Sequence, residues 1–406
     1  MKFRLLSILI VCGLAAWGIF AGCSNPPQIA AVAREDLFSL DIGRLEDQIA
    51  LFMMEGDRRI HHAGMVMRDG FFYISDGNGG KILRFNSYGD LLFMIYNEET
   101  NPPPLSIRPL QPGALVTRWA VTYPLQEPGA IAVDSRKHIY VRDRLPYERH
   151  SFDPENRAYL DSVILHFDEE GRFVKYLGRD GIGGSPFSNI ETLYISENDD
   201  LAVVCRLPTG WNIYWYNSDG IFLFLIQLKN EAIPIPPDRG DMVIPSLDSI
   251  AAAPDERKLY VKVDYYRDTY DESTNTRTGY EPDSSVIWIM DVESGAWEKN
   301  MEVPFFEYTY TERNRRITTR LFYSMMGVIR KGKIFLSFPV EGGYSLLVLS
   351  SDSSVGEEHR QSFIQVDNEE LQFNVFDVSG EGILSGLLVN DWQVKLVWWR
   401  TDRMSG

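Results

Sequence analysis

Short apolar runs separated by polar corners recur along the chain with a common length and spacing. The clearest unit spans Pro128 to Leu177. Gly129-Ala130-Ile131-Ala132-Val133-Asp134 is followed by the corner Ser135-Arg136-Lys137. His138-Ile139-Tyr140-Val141-Arg142-Asp143 then alternates and carries the β-branched and aromatic residues that suit a pleated surface. After an insertion come Ser162 to Phe167, a turn at Asp168-Glu169-Glu170-Gly171, and Arg172 to Leu177. The unit predicts four short strands in a meander.

Six such units can be traced. The first places strands at Gly64–Met67, Phe71–Asp76, Lys81–Asn86 and Asp90–Ile95, and the second is the template. The third has Glu191–Ser196, Leu201–Cys205, Trp211–Tyr216 and Ile221–Leu228. The fourth has Ser249–Ala253, Lys258–Val263, Ser285–Met290 and Trp297–Val303. The fifth has Met325–Ile329, Lys333–Phe338, Ser345–Leu349 and Ser362–Val366. The sixth offers only Gln372–Val378, Ile383–Leu388 and Trp392–Trp399. Leu37-Phe38-Ser39-Leu40-Asp41-Ile42 alternates apolar and polar and has no unit of its own, so it is expected to complete the sixth. Six four-stranded meanders predict an all-β, six-bladed β-propeller, its ring closed by an N-terminal strand that removes an open sheet edge.

Pro-Gly-x-Ile-Ala-Val-Asp, then Ile-Tyr-Val-x-Asp, then Ile-x-x-Phe-Asp-x-x-Gly, resembles the NHL repeat of six-bladed propellers; Asn78…Lys81-Ile82 of the first unit matches as well. The resemblance is clear in units one to three and thin in four to six. It implies a fold, not a ligand.

Residues 1–22 are read as a leader rather than as part of the fold. Lys2 and Arg4 precede an apolar stretch from Leu5 to Phe20, too short and wrongly flanked for a stop-transfer helix. Phe20-Ala21-Gly22-Cys23 looks like a bacterial lipobox, which implies lipidation at Cys23. Residues 23–35 would then be a tether and 36–406 the propeller. Of three cysteines, Cys12 leaves with the leader and Cys23 is acylated, so Cys205 stands alone and no disulfide within the mature chain is possible. The expected location is the outer, extracytoplasmic side of a bacterial membrane, at the periplasmic face or the cell surface.

The formal charge of −17 becomes −19 once Lys2 and Arg4 are removed. An acidic surface argues against nucleic acid as a partner and against docking flat on anionic lipid. Strand direction sends the long inserts at Tyr96–Gln126, Arg144–Asp161, Lys229–Leu247, Tyr265–Ser284 and Phe305–Thr319 to one end of the ring, while the turns at the other end are mostly short. Candidate ligand contacts on the long-loop face are Trp119, Arg142, Arg144, Tyr147, Tyr265, Arg267, Arg313 and Arg315, because Tyr, Trp and Arg carry most interface energy.

Catalytic signatures are absent from the sequence. It has no Gly-x-Ser-x-Gly elbow, its six histidines have no ligand spacing, and no helix follows its glycine-rich stretches to hold a phosphate. The expectation is a non-enzymatic, lipid-anchored binding module or assembly scaffold for a protein or glycan, without a cofactor. The alternative is a metal-dependent hydrolase. Propellers of the gluconolactonase type hold a divalent metal at the channel mouth, and Glu191, Asp248 and Asn374 fall near such positions here.

Overall fold

The computed structural model describes residues 30–50, 63–109, 117–240, 243–271, 273–312, 315–351, 360–370 and 372–404. Cys23, Arg313 and the leader lie outside these residues.

The strands pair into six antiparallel meanders arranged as a ring. Blade one holds Ala63–Arg68, Phe71–Asp76, Lys81–Asn86 and Leu91–Tyr96. Blade two holds Ile131–Val133, Ile139–Arg144, Ser162–Phe167 and Phe173–Gly178. Blade three holds Ile190–Ile195, Leu201–Leu207, Gly210–Tyr216 and Phe222–Lys229. Blade four holds Ile244–Ala252, Lys258–Tyr270, Arg277–Asp291 and Trp297–Val303. Blade five holds Ser324–Ile329, Lys333–Val340, Gly343–Ser350 and Arg360–Gln365. Blade six holds Phe373–Val378, Leu384–Val389 and Gln393–Trp399. Its fourth strand is Arg34–Asp41, antiparallel to Gln393–Trp399, as the alternation around Leu40 predicts.

There is no single central core. Six apolar clusters form instead, one at each interface between neighbouring blades. A middle strand is covered on both faces, which is why Ser162–Phe167 and Gly210–Tyr216 are buried throughout. An outer strand such as Trp297–Val303 is largely wet. That difference in covering explains why inner segments read as apolar runs and outer ones as broken patterns.

The turn between third and fourth strands repeats in blades one to three. Asn86 Oδ1 accepts the N–H groups of Tyr88 and Asp90, Asp168 Oδ1 those of Glu170 and Arg172, and Asn217 Oδ1 those of Asp219 and Ile221. Glycine follows three residues later in each, at φ +83°, +82° and +78°. These are Asx turns closed by a left-handed residue, and they are the physical content of the repeated Asx-x-x-Gly.

Asp76 and Asp143, at the same place late in the second strands of blades one and two, are buried and brace the neighbouring connections. Asp76 accepts N–H groups from Ala50 and Gly79 at 2.8 and 2.9 Å, and Asp143 those of Gln126 and Glu127. Burial pushes the Asp143 carboxyl up to about 6.

Four of the long inserts hold strands. Tyr265–Ser284 is the far part of one hairpin, with Arg267 paired to Glu281 and Thr269 to Gly279. Phe305–Thr319 forms its own hairpin, Phe306–Glu312 against Arg315–Leu321. Arg144–Asp161 contains the hairpin Ser151–Asp153 and Ala158–Leu160. Tyr96–Gln126 adds Trp119–Thr122 to the edge of blade one, in parallel. Phe306–Glu312 alternates, with Phe306, Tyr308 and Tyr310 on one face and Glu307, Thr309 and Thr311 on the other.

Closure is reinforced by charge. Arg34, at the start of the closing strand, donates to both carboxylate oxygens of buried Glu370 at 2.6 and 2.9 Å, and Lys395 donates to the same group at 2.7 Å. Burial alone would raise the Glu370 pKa, but these bonds outweigh it and bring it down to about 2. Its folded value lies below its unfolded one, so the contribution is complete above pH ~4.5 and lost as pH falls towards 2. Glu370→Gln is expected to cost about 2–3 kcal/mol near neutral pH, the scale of hydrogen bonds to charged groups. Urea unfolding across pH should show the difference from wild type shrinking below pH ~4.5; a constant difference would place the stabilisation elsewhere.

Candidate functional site

The six inner strands enclose a central channel of about 850 Å³. That volume lies in the range of small-molecule sites. The inner strands start at the face of the long inserts, so the residues at their beginnings ring that mouth: Gly64, Gly129, Asn189, Glu191 and Asn374, with Arg142 reaching in from the second strand of blade two. Further in, the half-buried Val66, Ala130, Val328 and Phe376 share the wall with Thr192, Tyr194 and Asp377. At the short-turn end, Glu197 pairs with Arg330, tying blade three to blade five, and the Lys331 N–H donates to Asp255.

Two glycines shape the long-insert mouth. A Cβ on Gly64 would stand 2.6 Å from the Gly129 carbonyl oxygen and 2.8 Å from Ser75 Oγ. A Cβ on Gly129 would stand 3.0 Å from Cδ and Nη1 of Arg142. Glycine at 129 is what lets the arginine pass over the strand into the channel. Its Nε–H reaches Ser162 Oγ at 3.4 Å and its Nη1 the Glu127 carbonyl at 3.3 Å.

Asp377 lies deeper, late in the inner strand of blade six, and accepts the Met67 N–H of blade one at 2.9 Å. Burial pushes its carboxyl up to about 7, so it changes charge near neutral pH. The sequence reading passed over it; the only signal was a carboxylate inside the apolar run Val375-Phe376-Asp377-Val378.

Of the residues expected at a site, Arg142, Glu191 and Asn374 come together on the channel lining. Asp248 does not: its carboxylate is 3.2 Å from the buried Lys262 ammonium and 2.9 Å from Ser249 Oγ. The set expected for a metal is therefore not assembled, and among the described residues no three His, Cys, Asp or Glu side chains converge. Two expected ligand contacts belong to the packing instead. Tyr265 is fully buried, donating to the Pro234 carbonyl and accepting from Trp288 Nε1. Trp119 is half-buried, donates to the Glu170 carbonyl at 2.8 Å, and packs on Phe93. Their segments continue as strands, which turn alternate residues inward. Arg144 pairs with Glu127 and Asp161, and Arg267 with Glu281. Tyr147 and Arg315 are exposed. Cys205 is buried and its thiol is pushed up by that burial.

No family model matches the chain, and no curated protein matches its sequence. Solved structures to which the chain shows similarity include a hydrazine synthase of Kuenenia stuttgartiensis (11% identity, 75% of this chain and 82% of that one, TM-score 0.36). A candidate gluconolactonase shares 12% identity over 91% and 93% of the two chains, TM-score 0.39. The Dos1 propeller shares 11% over 91% and 94%, TM-score 0.36. At these values none says anything about activity. The class of the protein, a six-bladed β-propeller, rests on its own strand pairing.

Gly64→Ala is expected to lower stability by about 1–3 kcal/mol, the range for overpacking, because its methyl would meet backbone rather than a movable side chain. Thermal unfolding checks this, and a wild-type melting temperature would mean that the channel wall between blades one and two yields.

Proposed function

We propose that this protein is a non-enzymatic, lipid-anchored binding module on the extracytoplasmic side of a bacterial membrane. Its protein or glycan partner sits on the face that carries the inserts. One observation carries the reading: two hairpins project from that face with aromatic and cationic side chains in solvent. Tyr270 and Tyr280 on one, and Tyr308 and Tyr310 on the other, are exposed, and the Arg277 guanidinium sits 4.2 Å from the Tyr280 ring centroid. The bases of the hairpins meet through Tyr266 and Phe322, with ring centroids 5.4 Å apart. Arg315, Arg316 and Arg320 add cations to a chain that is otherwise acidic. Rigid aromatics flanked by arginine are the composition that gives interfaces most of their energy.

The anchor suits this orientation. The closing strand begins beside Trp399, at the short-turn end of blade six. A lipid at Cys23 would therefore hold that end towards the membrane and present the hairpins outward. Triacylation exceeds the single chain that binds only marginally.

Cys23→Ala is expected to move the folded protein from the membrane fraction to the soluble fraction on fractionation. Tight membrane association of that variant would remove the anchor from the proposal.

Replacing Asp268–Tyr280 with Asn-Gly leaves Arg267 opposite Glu281 and a turn that hairpins accept. This variant, or Arg315→Glu, is expected to weaken cross-linked partner capture from intact membranes roughly tenfold, whereas Lys137→Glu on the short-turn face should not. Capture lost only in the Lys137 variant overturns the assignment of the face. A stoichiometric divalent ion whose removal abolishes lactone hydrolysis overturns the non-enzymatic reading.

A further inference from the structure

The channel has its own chemistry, separate from the hairpins. Arg142 is a guanidinium at the mouth of a cavity whose wall also carries the half-buried Val66, Ala130, Val328 and Phe376. It carries five N–H donors. The acceptors it reaches are neutral, the Ser162 hydroxyl and the Glu127 carbonyl. The Glu127 carboxylate pairs with Arg144 at 3.3 Å, and among the described residues none stands within ion-pair distance of Arg142. Gly129 clears its path, while Asn189 and Asn374 add neutral polar groups to the same rim. Deeper in, Asp377 sets a second carboxyl on the wall. It stands three residues beyond Asn374 along one strand, roughly 10 Å at the usual rise per residue.

We propose that the channel binds a small amphipathic monoanion, its carboxylate on Arg142 at the long-insert mouth and its apolar tail along the half-buried Val66, Ala130, Val328 and Phe376. A carboxylate can take two parallel N–H bonds from a guanidinium, which fixes the head by geometry as well as charge. The tail is held by displacement of water from apolar wall. Asp377 supplies the selectivity. Where Asp377 is ionised, above neutral pH, a second carboxylate at the far end of a ligand of that length would meet like charge, so dianions are rejected and an uncharged tail is accepted. Glu191, exposed on the same rim, disfavours ligands whose anionic head bears further negative charge.

Sodium octanoate is the probe, titrated calorimetrically into the full chain carrying Cys23→Ala. One-to-one binding is expected at pH ~8.5, with 1-octanol and the dianion suberate at least tenfold weaker. Arg142→Gln should weaken octanoate at least tenfold, and Arg142→Lys less. Ala130→Phe, which fills that part of the channel, should abolish binding. Melting temperatures confirm that each variant is folded. The comparison of octanoate, octanol and suberate needs no channel variant, so the proposal is decided even if Arg142→Gln fails to fold. No octanoate binding at 10-millimolar order, equal affinity for octanol, or unchanged affinity in a folded Arg142→Gln variant each overturns it.

Discussion

The molecule depends on the pairing of Arg34–Asp41 with Gln393–Trp399, because a propeller blade is stable only with a neighbour on each face. Without this strand, blade six ends at Gln393–Trp399 and the apolar cluster shared by blades six and one loses Leu40 and its neighbours Leu37 and Phe38. Burial of such side chains contributes about 1.5–3 kcal/mol each, comparable in sum with the stability of many whole domains. The segment also touches the next blade round, since Ala30–Ala31 runs parallel to Arg360–Gln365 of blade five. The start of the described chain therefore fastens two blades at its other end. Contacts so distant in sequence form against a large loop-closure entropy, which makes completion of the ring a late and cooperative event.

The Arg34–Glu370–Lys395 cluster belongs to this closure and not to a functional site. Two cations on one buried carboxylate could suggest an anion pocket, yet every group in it is already satisfied by the others. Arg142 is the opposite case, a cation that faces a cavity with neutral partners. The two arginines look alike in sequence, each followed by an acidic residue within a β pattern. Only the tertiary partner separates a latch from a ligand contact.

Much of the ring was legible because its determinants are local. Asn86, Asp168 and Asn217 each write a turn in four residues, and the covered middle strands write continuous apolar runs. The closing strand was legible by elimination, as alternation without a unit. The hairpins were not, because a strand such as Arg315–Leu321 has only Ile317 and Leu321 as apolar residues on its half-buried face, too few to mark a period. For the same reason Tyr265 and Trp119 were mistaken for surface contacts: an aromatic residue in an insert reads alike whether it caps a loop or fills a blade. Counting from strand starts puts Glu191 and Asn374 on innermost strands, and both line the channel; Arg142, expected on the long-insert face, reaches the same lining from a second strand. Asp248 was misjudged because its partner, Lys262, lies on the neighbouring strand and is wholly buried.

The asymmetry between the two faces follows from packing at the short turns. The glycine closing each Asx turn abuts the fourth strand of the preceding blade. A Cβ on Gly220 would stand 2.9 Å from Leu177, and one on Gly171 would run into Phe93. On Gly89 the neighbour is Phe38, at 2.8 Å, so the closing strand stands to blade one as Phe93 stands to blade two. Polar links add to the constraint: Ser135 donates to Asp199 of the next blade through both its N–H and its hydroxyl. A turn wedged in this way cannot lengthen without opening an interface between blades. Connections at the other end, between second and third strands, project past the ring and can lengthen as hairpins at no cost to those interfaces. The wedged turns of blades one to three are thus held short, while the connection from Ser350 to Arg360 in blade five is longer; the hairpins with exposed Tyr and Arg side chains and the Arg142 mouth of the channel lie at the other end.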